Sequence, residues 1–553
     1  MTKLRVAVPL LLIAALWAWG FPALDQYNVT WDEALGDLFF GERYLSYFTS
    51  FDPVYLDFQS NPYPPERRPD LFVSPFKIRP WEYYPVANTL AAATSAVLAR
   101  ALGWLDAFDG FHAVNLLLGA VLLWSYYRLL AERWGHAAAL AAASLLFGSP
   151  RVVCHMMANV KDFPLMVFYA LTAVAFLRAF EAGSAKGLLG AGALLGLSLG
   201  TKGNALFFPA VPLLVLAFGG VPEAWRGRRR QLLLALVGGG LVAVAVMVAV
   251  WPYLWPDPVG RFTEHLRYIG LRVGYTRAES VAPALQAVAL TTPPAFLAFF
   301  AAGLVPCLRR AFHKASRDRL ALMMLAWIAV VLGRFFVPQA VNFDGVRHFL
   351  ELFPALAAVA GLGVAALLGA AARRLPALAT RPARALLVGL ALLPGAWAVL
   401  RTHPFQIAYW NVFAGGPRGA YERGLPQAGD YWGMSYRLGF EWLNANAPPG
   451  ALLAVPVVEH AVRLVAPLRL REDIVLLPVT NPFTPRIAPD RLRLTREAAR
   501  DQPLFVMFVV RRDWMNELMA ECLTRLEPAA AWQLDGAPVL VIYRYRPPDG
   551  TIR

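Results

Sequence analysis

Three short stretches of this 553-residue chain carry side chains that can do acid–base or phosphate chemistry. The first is Trp31-Asp32-Glu33, where paired carboxylates can supply a general base together with a ligand for a metal ion or a partner for a phosphate counter-ion. The same residues also read as a helix start, because Thr30 followed by Glu33 is a capping box that opens a helix toward Tyr47. The second is Asn159-Val160-Lys161-Asp162-Phe163-Pro164. Lys161 offers a point charge for phosphate and Asp162 a second acceptor or base; the alternative is a solvated loop with an N-cap Asp and a Pro that begins a helix. The third is Asn342-Phe343-Asp344-Gly345-Val346-Arg347-His348. Arg347 presents a planar fork of donors suited to phosphate oxygens and Asp344 can orient it; a Gly345 turn beside an interfacial anchor is the other reading.

The elements that must position these residues are membrane helices. The chain is 58% hydrophobic and only 16% charged, with a mean hydropathy of +0.47, far more apolar than a soluble globular protein. A bilayer core about 30 Å thick requires roughly 17 to 25 apolar helical residues. Twelve segments qualify: 5 to 22, 85 to 103, 111 to 129, 136 to 153, 164 to 181, 187 to 201, 204 to 220, 231 to 252, 288 to 307, 320 to 337, 349 to 371 and 384 to 400. Short cytoplasmic loops carry excess Lys and Arg. If all twelve cross and Lys3 and Arg5 lie inside, the clusters Arg226 to Arg230, Arg309 to Arg319 and Arg373 to Arg384 fall outside. If 85 to 103 is a juxtamembrane or re-entrant element, each cluster moves to the cytoplasm. Eleven crossings follow. They place Asp32, Asp162, Arg347 and the C-terminus on one outer face. The alternative is that 85 to 103 spans and another segment does not; fusing 187 to 201 with 204 to 220 would bury Lys202 and invert the later loops.

The formal charge of +15 sits in clusters between apolar runs, not on an aromatic-interleaved face, which argues against nucleic acid. Cys154, Cys307 and Cys522 are too far apart for a zinc site or a disulfide framework. Only six of the 52 basic residues are Lys, a composition that suits a GC-rich bacterial genome. Residues 1–401 read as the membrane module, with an outer loop over 23–84. Residues 402–553 read as a small extracytoplasmic α/β domain. Its helices are expected at Tyr436 to Asn446, 490 to 500 and 513 to 526, and its strands at Ala451 to Val458, Ile474 to Pro478, Leu504 to Val510 and Val539 to Tyr545.

Together these motifs resemble the membrane glycosyltransferases of the GT-C class, in the branch of the protein O-mannosyltransferases and the aminoarabinose transferase of lipid A (glycosyltransferase family 39-like). The Asp-Glu pair after span one is matched by Asp32-Glu33, the aromatic-Pro stretch by Tyr83-Tyr84-Pro85, and the acidic residue between spans three and four by Asp162. Asp344 to His348 resembles the Asp-Gly-x-Arg-His of bacterial relatives; His403 to Asn411 and Asp430-Tyr431-Trp432-Gly433 resemble the tail opening of others. The juxtamembrane Lys-Pro-Pro pattern and the Arg-Phe-Ile-Leu-Leu-Asp stretch of the two branches are absent, so neither acceptor, protein or lipid A, carries over.

The resemblance implies a mainly α, polytopic inner-membrane protein with about eleven transmembrane helices and juxtamembrane helices in the first outer loop. It implies transfer of a sugar from a polyprenyl-phosphate donor to a lipid, glycan or protein acceptor on the outer face, with inversion. Asp32 is the expected base, and Glu33 supports it or joins it in holding a divalent cation, Mg or Mn. Lys161, Arg347, His348 and Asp344 serve the phosphate, and Asp162 orients acceptor or base. A transporter or flippase of a lipid-linked sugar is the competing class; against it, the chain has no clear inverted repeat or paired broken helices at midplane depth.

Overall fold

The computed structural model describes residues 2–63, 80–272, 282–313, 317–336, 344–480 and 483–547. Asn342 and Phe343 of the third motif and Lys314 of a basic cluster lie outside the described residues.

The chain is mainly helical. In order, α1 (Thr2–Ala23), α2 (Leu38–Ser50), α3 (Pro85–Ser95) and α4 (Ala107–Arg133) are followed by α5 (His136–Phe147), α6 (Pro150–Ala158), α7 (Asp162–Glu181), α8 (Ala185–Leu199) and α9 (Ala210–Gly219). Then come α10 (Arg229–Val250), α11 (Pro258–Arg272), α12 (Ala282–Thr291), α13 (Pro294–Phe312), α14 (Arg319–Gly333), α15 (Phe353–Arg374) and α16 (Arg381–Thr402). Among the described residues seven helices are long and apolar enough to cross a membrane: Lys3–Gln26, Ala107–Arg133, Asp162–Glu181, Arg229–Val250, Pro294–Phe312, Arg319–Phe336 and Arg347–Arg374. The chain is thus a multi-pass membrane protein. The eleven expected crossings fall on these seven, on the pair α5 and α6, and on the shorter apolar helices Ala185–Leu199, Gly203–Gly219 and Leu386–Thr402. Segment 85 to 103 is the 11-residue α3 continued by a π-helical turn, Ala96–Ala101, and is not among the helices long and apolar enough to cross.

One expectation is corrected. Segment 136 to 153 is not a single helix: α5 and α6 meet at a 65° bend. Gly148 ends α5, Ser149 is extended, and Pro150 opens α6 at its first position, where a missing N–H costs nothing and the residue before it is pushed out of the helical region. The bend carries the chain to Asn159 and so sets up the loop before α7. Elsewhere small residues let helices approach closely. A Cβ on Gly192 of α8 would lie 2.1 Å from the Gly239 carbonyl oxygen of α10, the close packing that membrane helices use in place of a hydrophobic driving force.

Beyond α16 the chain forms α17 (Gly416–Glu422), α18 (Tyr436–Asn446), α19 (Glu459–Arg469), α20 (Pro489–Asp501) and α21 (Glu517–Arg525), with strands β1 (Leu452–Ala454), β2 (Val475–Leu477), β3 (Leu504–Val509), β4 (Ala530–Leu534) and β5 (Ala537–Tyr545). The sheet order is β2-β1-β3-β5-β4. β1 pairs in parallel with β2 and β3, Leu452 opposite Val475 and Leu504; β3 and β4 pair antiparallel with β5. Every residue of the central strand, Leu-Phe-Val-Met-Phe-Val, is buried, as a strand covered on both faces requires. The expected strands and helices are present; β4, α17 and α19 are additions.

Candidate active site

The ends of five helices converge: the C-terminal ends of α1 and α8 and the N-terminal ends of α4, α7 and α15. The chain leaving α1 turns at Thr30, whose backbone N–H donates to Glu33 Oε2 at 2.8 Å, closing half of the anticipated capping box. Glu33 is 2% exposed and its Oε2 also meets His112 Nε2 of α4 at 3.1 Å. Asp32 faces the other way. Its side chain is 25% exposed, and Oδ2 accepts from Arg347 Nη1 at 2.8 Å with Lys161 Nζ at 3.9 Å. The two adjacent carboxylates therefore serve different places.

Residues Glu33–Asp37 form a π-helical turn. The turn is not regular: Gly36 leaves the helical region with φ 176° and ψ −21°, and this kink sets residues 32 and 37 toward the same side. Asp37 is thus brought to the Lys161 that approaches Asp32: Lys161 Nζ lies 3.3 Å from Asp37 Oδ1, and Asn88 of α3 donates to the same oxygen at 3.1 Å. Burial pushes the Asp37 carboxyl up to about 6, against the pull of Lys161 and with a further push from Asp32. Burial alone would lower the Lys161 ammonium, but Asp37 and Asp32 outweigh it and raise it above the ordinary lysine value. Tyr83 closes this side, its ring 5.6 Å beneath Lys161 Nζ. Gly36 is required there, since a Cβ would stand 2.2 Å from the Tyr83 ring.

The loop after α6 folds on Asn159, whose Oδ1 accepts from the backbone N–H groups of Lys161 (3.1 Å) and Asp162 (2.8 Å) while its Nδ2 donates to Asp162 Oδ2 at 3.0 Å. Asp162 is completely buried. It forms an ion pair with Lys202 and lies 3.7 Å from Arg347 Nη1. Burial lowers the Lys202 ammonium despite Asp162. His348 Nδ1 sits 3.4 Å from Lys202 Nζ, and its carbonyl accepts from Asn204 at 2.7 Å and from Arg334, which also pairs with Glu351.

Arg347 is the hub, 5% exposed, reaching Asp32, Asp162 and, through Nη2 at 3.0 Å, Asp344. Its guanidinium lies over Trp432 at 4.7 Å. Asp344 holds a left-handed backbone with φ 55°, which Asp tolerates better than most residues. All seven sequence-derived site residues are in or beside this cluster. Glu33 alone turns away, toward α4. The cluster also contains Lys202, Asp37 and Arg511, which sequence reasoning did not assign. The signal for Lys202 was available, because a lysine between two apolar segments is costly unless it has a role. For Asp37 no signal existed without the π turn.

A divalent cation on Asp32 and Glu33 does not fit these residues. The two carboxylates diverge, and Asp32 already faces two cationic side chains. Among the described residues no group of three or more His, Cys, Asp or Glu is arranged to hold a metal ion.

Fold and site together define a multi-pass membrane protein with a charge-rich cluster at one end of its spans. Residues 106–253, about a quarter of the chain and including Lys161, Asp162 and Lys202, match the family model described as dolichyl-phosphate-mannose-protein mannosyltransferase. The chain is similar to ArnT from Cupriavidus metallidurans, solved bound to undecaprenyl phosphate, at 18% identity over 97% of each chain and a TM-score of 0.48. It is similar also to the archaeal oligosaccharyltransferase AglB from Archaeoglobus fulgidus, solved with an inhibitory peptide and a dolichol-phosphate, at 14% identity over 87% of this chain and 66% of that one, with a TM-score of 0.44. No curated protein matches the chain.

Proposed function

We propose that the protein is a membrane glycosyltransferase that moves a sugar from a polyprenyl-phosphate donor to an acceptor hydroxyl, with Asp32 as base. The observation that carries this reading is the position of Asp32: a partly exposed carboxylate beside two cationic side chains, Arg347 and Lys161, with the Asp162–Lys202 pair next to Arg347. The family match over 106–253 supports the same chemistry. In an inverting displacement the acceptor hydroxyl loses its proton to the base as its oxygen bonds to the anomeric carbon. The bond from that carbon to the phosphate oxygen breaks, and the phosphate leaves with an added negative charge. Catalysis then requires a carboxylate on the acceptor side and fixed cations on the phosphate side. Arg347 and Lys161 connect the two. As the donor phosphate draws their positive charge, Asp32 is relieved of it and becomes a stronger base. Asp344 holds Arg347 in place, and Asp162 anchors Lys202 and His348 on the far wall.

The reading places the site and the 402–553 domain on the outer face of a bacterial inner membrane, with the polyprenyl tail along lipid-facing spans. Incubating the purified protein with radiolabelled undecaprenyl-phosphate sugars tests it. Release of free undecaprenyl phosphate that is lost in Asp32→Asn is the expected result. Redistribution of intact donor between leaflets without turnover would identify a flippase and sink the proposal.

A further inference from the structure

The Asp32 segment is held by more than its own loop. Asn28 N–H donates to the Met434 carbonyl at 2.8 Å and Trp31 N–H to the Trp432 carbonyl at 3.0 Å, so residues 28–31 lie along the chain that leads into the C-terminal α/β unit. That chain is itself fixed: the buried Asp430 carboxylate accepts from the backbone N–H groups of Trp432, Gly433 and Ser435 at 2.8, 2.9 and 2.7 Å. The Trp31 carbonyl in turn faces His460 Nε2 of α19 at 3.1 Å. A carbonyl only accepts, so this nitrogen carries the proton. Burial lowers His460 to about 4, and the ring is a neutral donor near neutral pH. The Trp31 ring is packed edge-on against Trp514 (4.5 Å) and His460 (5.2 Å), with the Arg511 guanidinium over it at 5.1 Å.

Arg511 also reaches the other end of Asp32. It leaves β3, is 7% exposed, and donates from Nη1 to the Tyr431 carbonyl at 2.6 Å and from Nη2 to Asp344 Oδ1 at 2.9 Å. Asp344 Oδ2 accepts from Arg347 at 3.0 Å, and Arg347 donates to Asp32 at 2.8 Å. The result is a chain of alternating charge, Arg511, Asp344, Arg347, Asp32. It is almost wholly buried except at Asp32. Buried forks of this kind lose their geometry when one partner goes.

We infer that the C-terminal α/β unit positions the base: Arg511, through Asp344 and Arg347, orients the Asp32 carboxylate, and His460 fixes the backbone on which it stands. This rests on the assignment of Asp32 as base under the proposed function. Arg511 and His460 are positioning residues, since they act on Asp32 through Asp344, Arg347 and Trp31. The unit is therefore part of the catalytic apparatus and not a detachable binding module.

The test uses the full chain, with the undecaprenyl-phosphate sugar that turns over as donor and undecaprenyl phosphate itself as a binding probe. Arg511→Gln is expected to lower kcat about tenfold to a hundredfold, the range a small misplacement of a reacting group produces. KM and undecaprenyl phosphate affinity should change much less than kcat, because Arg347 and Lys161 still carry their charge for the phosphate and what is lost is the orientation of Asp32. Arg511→Lys, which keeps the charge but cannot span Tyr431 and Asp344, should fall between. His460→Gln retains an N–H donor and should keep kcat within about threefold of the native value, while His460→Leu should lose about tenfold. Unchanged kcat in Arg511→Gln, a loss confined to KM or lipid affinity, or equal losses in the two His460 variants would overturn the inference. Asp32→Asn run alongside separates the two levels: if it still turns over, the base assignment fails; if it is dead while Arg511→Gln matches the native enzyme, only the positioning role fails.

Discussion

Asp32 and Asp162 share one arginine and differ in almost everything else. Arg347 Nη1 lies 2.8 Å from Asp32 and 3.7 Å from Asp162. Asp162 is 1% exposed, bonded by Asn159 and paired with Lys202; Asp32 is 25% exposed and lies within 4 Å of Lys161. A carboxylate locked among donors is an anchor, while one with an open side can meet a hydroxyl. The contrast assigns chemistry to Asp32 and architecture to Asp162, and it can be broken from either side. The largest effect belongs to Asp32→Asn, which should lower turnover by roughly 10²- to 10⁴-fold, the usual worth of a positioned general base. The thermal midpoint of the purified protein should hardly move, because a carboxamide occupies the same partly open space.

Asp162→Asn should do the reverse in kind. It removes the ion-pair partner of Lys202 and leaves that buried ammonium beside Arg347, a change that typically costs about 3–5 kcal/mol. The expected readout is a marked fall in the unfolding midpoint and in the yield of folded protein. The double variant Asp162→Leu with Lys202→Leu removes both charges and should recover most of that stability without recovering activity. A double variant as unstable as the single one would mean that Asp162 acts through something other than its ion pair.

How far the sequence could be read follows from the same contrast. Asp32, Lys161, Asp162 and Arg347 stood out because ionisable residues beside apolar spans are expensive, and that cost is local. The charge bias of the loops then placed them on one face. What escaped were features that depend on backbone geometry or on distant chain. The π turn that swings Asp37 toward Lys161 leaves no mark in the residue pattern. The 65° bend between α5 and α6 does leave a mark, Gly148-Ser149-Pro150, but the apolar content on either side of it outweighs that mark in a hydropathy reading. Arg511 lies 167 positions from its partner Asp344, and nothing in its neighbourhood distinguishes it from the other arginines of the C-terminal unit.

Glu33 sharpens the comparison further. As a member of a catalytic pair or a metal ligand, it would be nearly as sensitive as Asp32. Buried against Thr30 N–H and His112, it belongs with Asp162 as a structural carboxylate. Glu33→Gln keeps an acceptor for the Thr30 N–H, so turnover should fall by less than about tenfold, with the main cost in stability, about 1–3 kcal/mol for a buried hydrogen bond to a charged group. A loss equal to that of Asp32→Asn would restore the paired role.

The smallest expected effect is a pH dependence at Asp37. Burial raises its carboxyl to about 6 in the folded protein, from an ordinary value of 3.8. The folded state therefore binds more protons than the unfolded one between about pH 4 and 6, and the group's contribution to stability falls as pH rises through that window. For catalysis the ionised form matters. Above about pH 6, Asp37 shares Lys161 with Asp32; below it Asp37 is neutral and Lys161 is left to Asp32 alone, which weakens the base. A profile of kcat/KM should show an acid limb near pH 6 of a few-fold. Asp37→Asn is neutral at every pH and should flatten that limb, fixing the rate near the native enzyme's low-pH value. If the limb survives in Asp37→Asn, another group controls it, and Lys161 is not shared between the two carboxylates in the way the geometry implies.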